Sequence, residues 1–257
     1  MLRERSDESQ DSEVLDDLTI DSLDDASFQA FRQMLSVRNP AHPWNKKNDG
    51  DFLRLIGAIN KGEDKELHPT VAGLLMFGYD FSIISEFPNY HLDYLEYSDD
   101  FKQWTYRLTS GTGEFTGNIF NFITEVSARL NIQNQKRKVV ENMARVDDPP
   151  LLRAQRELLS NALIHSDYRG LRGIRAELPP GRFRVRNPGD LRIPMDEMFA
   201  GGVSDPRNLH IAVMLSLIGM VERVGAGYVP LWITVRACRY LFRSMWRHPI
   251  QKQLPLL

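Results

Sequence analysis

Residues 156–168, Arg-Glu-Leu-Leu-Ser-Asn-Ala-Leu-Ile-His-Ser-Asp-Tyr, constrain the fold more than any other stretch of this chain. Glu157, Asn161 and His165 recur four positions apart, so on a helix of about 3.6 residues per turn they form one polar stripe. Leu152, Leu158, Leu159, Ala162 and Leu163 cover the other side. Such a helix docks on a core and still presents an acid, an amide and an imidazole to a cavity. Most polar stripes are solvated faces; Arg186-Asn187-Pro188-Gly189-Asp190 after an alternating run, and Gly225-Ala226-Gly227 after an apolar helix, set this one apart. Residues 174–178 and 183–186 alternate about Pro179-Pro180-Gly181 and read as a two-stranded hairpin. A helix leading into a sheet layer makes the chain α+β, with a helical N-terminal half and a small α/β sandwich behind it.

The chain divides into four stretches. Residues 1–21 are acidic and Ser-rich, too poor in apolar side chains to fold alone, and read as a linker. Residues 22–148 form an intermediate helical and α+β region. There, Phe28, Phe31 and Leu35 repeat at helical spacing behind Asp24 and Asp25, until Pro40 and Pro43 forbid continuation. A second helix starts near Asp51 and ends at Gly62; a third, Val71 to Phe77, lies between a Thr70 cap and Gly78. Successive short helices suit either a DNA-reading helix-turn-helix or a packing module. The second is preferred, because none carries a one-sided cluster of Arg, Lys, Asn or Gln. Residues 90–97 read as a half-buried strand, 111–117 as a Gly/Thr turn with no Lys-Ser/Thr to make it a P-loop, and 119–130 as an amphipathic helix. Lys136-Arg137-Lys138 reads as a solvated loop. Asp147-Asp148-Pro149-Pro150 then starts the helix of the polar stripe and opens the third stretch, residues 149–227. In it, residues 194–200 read as a short helix, and Asp205-Pro206 as the cap and first position of a helix through Ile211, Met214, Leu215 and Ile218.

Residues 228–257 are a basic tail. After Glu222 no acid remains, while Arg223, Arg236, Arg239, Arg243, Arg247 and Lys252 accumulate, although the chain as a whole carries a net charge of only −2. Tyr240, Phe242 and Trp246 interleave with these charges, so the tail suits either single-stranded nucleic acid or a stretch never selected to pack. The second is preferred, with weak, sequence-independent binding to duplex DNA. Cys238 is the only cysteine, which excludes an internal disulfide and fits a reducing cytoplasm. The longest apolar stretch, residues 211–221, is short of the roughly 20 residues that span a bilayer, so no membrane partner is expected.

The order acid-x-x-x-Asn-Ala-x-x-His, Asn187-Pro188-Gly189 and Gly225-Ala226-Gly227 resembles the nucleotide-binding boxes of the Bergerat-fold (GHKL) ATPases, the superfamily of DNA gyrase, histidine kinases and MutL. The wording is closer to a bacterial family of RecG-like, Schlafen-related ATP-binding proteins and transcriptional regulators. Residues 68–78, Glu86-Phe87-Pro88, residues 156–168, Asn187-Pro188-Gly189 and residues 201–208 carry that likeness. The resemblance implies a Bergerat-type ATP-binding domain at residues 149–227, with Mg²⁺-ATP as ligand and weak ATPase activity as the enzymatic possibility. It also implies an upstream AlbA-like domain as the contact with DNA, so that the chain reads as a fragment of a regulator or helicase-related protein.

By that resemblance Glu157 orients the attacking water and Asn161 holds Mg²⁺. His165 either approaches a phosphate or, the preferred reading, caps the helix end. A zinc site from these three is disfavoured, since only histidine among them is a preferred zinc ligand. Asn187 and Gly189 stand where the ATPases carry Asp-x-Gly-x-Gly; an Asn oxygen accepts the adenine amino group without charge, and the second glycine is missing. A type II turn explains the triplet equally. For the phosphates, Gly201, Gly202, Ser204 and Arg207 at a helix start rank above Gly225 and Gly227, which lead into Tyr228-Val229-Pro230 rather than a helix. The alternative to ATP binding is a non-catalytic, DNA-associated interaction module with a degenerate nucleotide site.

Overall fold

The computed structural model describes residues 9–98, 100, 102–135, 150–190, 192 and 205–221 in full, and 136–140 as backbone. Asp24 starts α1 (Asp25–Arg38): its carboxylate accepts the Ala26 and Ser27 N–H groups at 3.3 and 3.1 Å. Phe28 and Phe31 leave its inner face to meet Phe52 of α2 (Asp49–Leu55), Phe77 of α3 (Val71–Phe77) and Phe120 of α5 (Ile119–Val140). Edge-to-face geometry dominates this cluster, with the Phe31 and Phe77 centroids 5.4 Å apart at 77°. Every residue of α3 is buried, so it is a packing helix and cannot lie in a DNA groove. Thr70 caps it through the Gly73 N–H, as expected, and Gly73 lies where any Cβ would overlap the Ala58 carbonyl oxygen. The second helix stops earlier than Gly62: Gly57, at φ 77°, turns the chain into a short antiparallel pair, β1 (Ile59–Lys61) and β2 (Leu67–Pro69).

The acidic segment expected to be a linker is, from Ser9 onward, a strap along α3. The Val71 and Ala72 N–H groups donate to the Glu13 and Asp11 carbonyls at 2.8 and 2.9 Å. At the other end the Asp24 N–H donates to the Phe77 carbonyl at 2.6 Å, and Tyr79 N–H to Ser22 at 3.1 Å. A fully buried helix cannot send its terminal N–H and C=O groups to water, so backbone from elsewhere must satisfy them. Composition misleads here because the strap contributes its backbone more than its side chains.

After α4 (Asp80–Glu86) a four-stranded sheet runs in the order β4-β3-β5-β6: β4 (Trp104–Thr109), β3 (Leu92–Tyr97), β5 (Ile174–Leu178) and β6 (Arg184–Arg186). The expected hairpin is present as β5 and β6. β3 pairs in parallel with β5, so the sheet crosses the boundary placed at residues 148/149 and joins the two stretches. Being central, β3 is buried at five of its six positions rather than at alternate ones. The helix at 119 continues through 136–138, where a loop was expected. α5 and α6 (Pro150–His165) cover one face of the sheet, and α6 lies against β5 and β6. Packed on α6 is α7 (Leu209–Leu217), capped at Asn208 rather than at Asp205-Pro206. The class is α+β.

Candidate functional site

α6 buries Leu152, Leu159, Ala162, Leu163 and Ile164, and its stripe of Glu157, Asn161 and His165 is half-buried. Two of its polar residues face inward and fix its position. Gln155 accepts from Asn134 of α5 at 2.8 Å, and Ser160 donates to the Met220 carbonyl beyond α7 at 2.9 Å. The stripe is therefore carried on a helix tied to neighbours on both sides.

The C-terminal carbonyls of α6 are met one after another. Ser166 Oγ donates to Ala162 at 2.7 Å and Tyr168 Oη to Leu163 at 2.9 Å. Asn208 Nδ2 donates to the Ile164 and Ser166 carbonyls at 2.9 and 2.8 Å, and Arg207 Nε to His165 at 3.3 Å. Four orphan carbonyls are the rule at a helix end, and here side chains satisfy them instead of water. The Asn187-Pro188-Gly189 turn is pinned at the same end, where the Asp167 N–H donates to the Pro188 carbonyl at 3.0 Å. Gly189, at φ 107°, lies against Arg207 and Asp167; a side chain there would be strained and crowded. Arg207 Nη2 also donates to the Asp190 carbonyl at 2.8 Å, and Arg192 pairs with Asp205 at 3.0 Å.

His165 is thus brought together with Gly189, Arg207, Arg192 and Asp205. Burial holds its pKa below the ordinary histidine value, Arg207 and Arg192 push the same way, and Asp205 opposes. At neutral pH the ring is a neutral imidazole, with one donor and one acceptor nitrogen. Asn187 sits at the exposed rim of the turn. Glu157 and Asn161 lie further back along α6, two turns and one turn before His165. Gly201, Gly202, Ser204, Gly225 and Gly227, like the helix expected at 194–200, fall outside the described residues. Among the described residues no group of three His, Cys, Asp or Glu is arranged to hold a metal. Mg²⁺ needs less than that, since one or two protein oxygens suffice when phosphates supply the rest.

Asn208 and Arg192 were not expected as parts of this site. Asn208 had a signal, an Asn directly before the apolar run of α7, but Asp205-Pro206 offered a stronger one three residues earlier. Nothing local in the sequence marked Arg192, whose partner Asp205 lies in another segment.

A family profile described as "Domain of unknown function (DUF8451)" matches residues 1–93, the α1 to α4 region up to the start of β3. No curated protein matches the chain. Among solved structures it is similar to the crystal structure of the DIP2311 protein from Corynebacterium diphtheriae, at 18% identity and a TM-score of 0.57. The match covers 85% of this chain and 34% of that one, so the chain spans about a third of its length. At that identity the likeness is one of fold. Among the described residues no helix is long and apolar enough to cross a membrane.

Proposed function

We propose that the chain binds an adenine nucleotide with Mg²⁺ across the half-buried face of α6, as part of a cytoplasmic regulatory protein. The observation that carries this reading is the placement of the Asn187-Pro188-Gly189 turn against the end of the helix that bears Glu157, Asn161 and His165. The resemblance to RecG-like, Schlafen-related proteins links those motifs by order alone; the Asp167–Pro188 hydrogen bond brings them together in space. In this reading the Asn161 side-chain oxygen is a hard ligand, and Glu157 aligns a water. The uncharged Asn187 accepts the adenine amino group, and Mg²⁺ when bound neutralises phosphate charge. Neutral His165 offers a phosphate one N–H. DNA contact belongs, in the same reading, to an AlbA-like partner domain.

A second reading is favoured by Arg207, two of whose nitrogens are already engaged with carbonyls. An arginine so used shapes the helix end and is poorly free to clamp phosphate. The fold would then be a regulatory interaction module that keeps the shape of a nucleotide site without turnover.

Calorimetric titration of the full chain with a non-hydrolysable ATP analogue, with and without Mg²⁺, separates the two. Nucleotide binding predicts Mg²⁺-dependent heat, weakened by Asn161→Ala, and hydrolysis abolished by Glu157→Ala with affinity kept. No heat at millimolar analogue from a folded protein leaves the interaction module.

A further inference from the structure

The sheet has a second face, which α5 and α6 do not cover. Side chains in register across neighbouring strands point the same way. Tyr94, Ala176 and Val185 therefore share the covered face, with Leu108. Asp93, Leu95 and Tyr97 point to the other, together with Arg107 of β4, Arg175 and Glu177 of β5, and Arg184 and Arg186 of β6. Leu95 is only 4% exposed, yet it does not belong to the apolar core cluster that Tyr94 and Leu108 join. It is buried on the far side, in register with Arg107 and Glu177.

The charges on this face are layered. Asp93 is held by Arg107 at 2.8 Å and Arg175 at 3.8 Å, and Glu177 by Arg175 at 3.2 Å and Arg186 at 2.8 Å. Both carboxylates are buried, whereas the Arg175 and Arg186 side chains are 44% and 66% exposed. Arg184 completes the row and leaves its Nε buried with no hydrogen-bond partner among the described residues. Four arginines thus share this face with two carboxylates, and the Arg107, Arg175 and Arg186 side chains are outermost. Each guanidinium has five N–H donors in a planar fork, so an edge spent on a carboxylate leaves another for a second anion. At one border of the face, Trp104 pairs with Tyr97 across a bulge and is 57% exposed.

We propose that this second sheet face, opposite α5 and α6, binds single-stranded nucleic acid, its phosphates drawn to Arg107, Arg175, Arg184 and Arg186 and a base stacked on Trp104. The excess positive charge selects a polyanion, and the exposed ring selects one that carries planar groups, which an acidic peptide lacks. A sheet face presenting cations beside an aromatic fits an unpaired strand, whose bases are free to stack, better than a duplex, whose bases are stacked already. This surface is distinct from the α6 face, on the opposite side of the sheet.

Fluorescence anisotropy tests it, with dye-labelled oligothymidylate and oligouridylate of about 12 nucleotides, within the span a small binding face engages. A duplex of equal length serves as control, across a salt series and on the full chain. Either single strand is expected to bind more tightly than the duplex, and the preference between the two identifies the sugar. Affinity falls with salt, by roughly 0.7 in logarithmic slope for each phosphate neutralised. Arg186→Gln should lower that slope by about one such step, and Trp104→Ala should weaken binding by about fivefold to a hundredfold. Both side chains are exposed, so unchanged circular dichroism and thermal midpoint certify the fold of each variant. No anisotropy change at low salt overturns the proposal. So does equal affinity for duplex and single strand with Trp104→Ala silent, or loss of binding only in an Arg239→Gln, Arg243→Gln variant, which assigns it to the basic tail.

Discussion

Asp11 and Ile211, two hundred positions apart, are joined by a hydrogen bond of 2.9 Å from the Ile211 N–H to the Asp11 carboxylate. The natural cap of α7, Asn208, makes no side-chain bond to its own helix, because its amide is turned back onto the carbonyls of α6. The strap supplies what is missing: Asp11 serves Ile211, and Ser9 Oγ accepts from the Leu209 N–H at 2.8 Å. Asp11 is 0% exposed, so a lost carboxylate is not replaced by water. Asp11→Ala is therefore expected to cost about 1–2 kcal/mol, the upper part of the range for a lost helix cap, in urea-induced unfolding. An unchanged midpoint would show that the strap does not hold α7.

The same carboxylate faces His210, whose Nδ1 lies 3.3 Å away, and the hydrogen bond to Asp11 raises the histidine's pKa against the effect of burial. A raised value means the folded state binds the proton more tightly, so this contribution is whole below about 6.5 and is lost as pH rises through the raised value. His165 is the opposite case: burial lowers its value, so its contribution is whole above about 6.5 and is lost as pH falls through the lowered one. Thermal melts across pH should therefore decline on both sides of about 6.5. Asp11→Asn should shrink the alkaline decline to the part that belongs to His68, whose pKa the Leu18 carbonyl and Asp64 also raise, and leave the acid decline whole; His165→Gln should remove the acid decline and leave the alkaline one. Parallel pH profiles for all three proteins would contradict the assignment.

Elements with a local signature were legible before the structure. Thr70 and Gly78 bracket α3, Pro150 opens α6, and Pro179-Pro180-Gly181 joins β5 to β6, because capping and turn chemistry act within a few residues. The strap was not legible, since its role rests on backbone groups of Asp11 and Glu13 and on one buried carboxylate, and composition reports neither. Nor was the parallel pairing of Leu92–Tyr97 with Ile174–Leu178, which depends on tertiary register alone. That pairing also makes the arginine-rich face, so Arg107, Arg175 and Arg186 looked unrelated in the sequence. In the candidate site the stripe on α6 was visible from periodicity, whereas the role of Asn208 at its end needed the two helices to be seen packed.

Gly73 tests the burial of α3. Its α-carbon lies so close to the Ala58 carbonyl that an added methyl group must displace backbone rather than a flexible side chain. Alanine is otherwise the better helix former by about 1 kcal/mol, so the two effects oppose each other. Displacing backbone in a packed core costs roughly 1–3 kcal/mol or more, and should win. Gly73→Ala is expected to lower the thermal midpoint, with Gly50→Ala, at an open helical position, as the control that stays level or rises. A stabilised Gly73→Ala would mean that α3 and the β1 segment can move apart at little cost.

Asn208 links stability to the candidate site. Its Nδ2 group serves the Ile164 and Ser166 carbonyls, and its backbone N–H also donates to Ile164 at 3.0 Å. Asn208→Ala keeps the backbone bond but leaves the Ser166 carbonyl without this donor inside the protein. One stranded buried acceptor costs about 1–3 kcal/mol, and Ile164 is protected because its carbonyl retains a partner. Asn208→Asp should be worse than alanine, because it brings a carboxylate against two carbonyl oxygens where donors are required. Both substitutions loosen the end of α6 where His165, Arg207 and the Asn187-Pro188-Gly189 turn meet, without touching the stripe itself. If that end forms a nucleotide site, calorimetry below the melting transition should show weaker binding of the ATP analogue to Asn208→Ala, while Gly73→Ala, destabilised elsewhere, binds as the parent does. Equal weakening in both variants would tie binding to global stability and remove the end of α6 from the site.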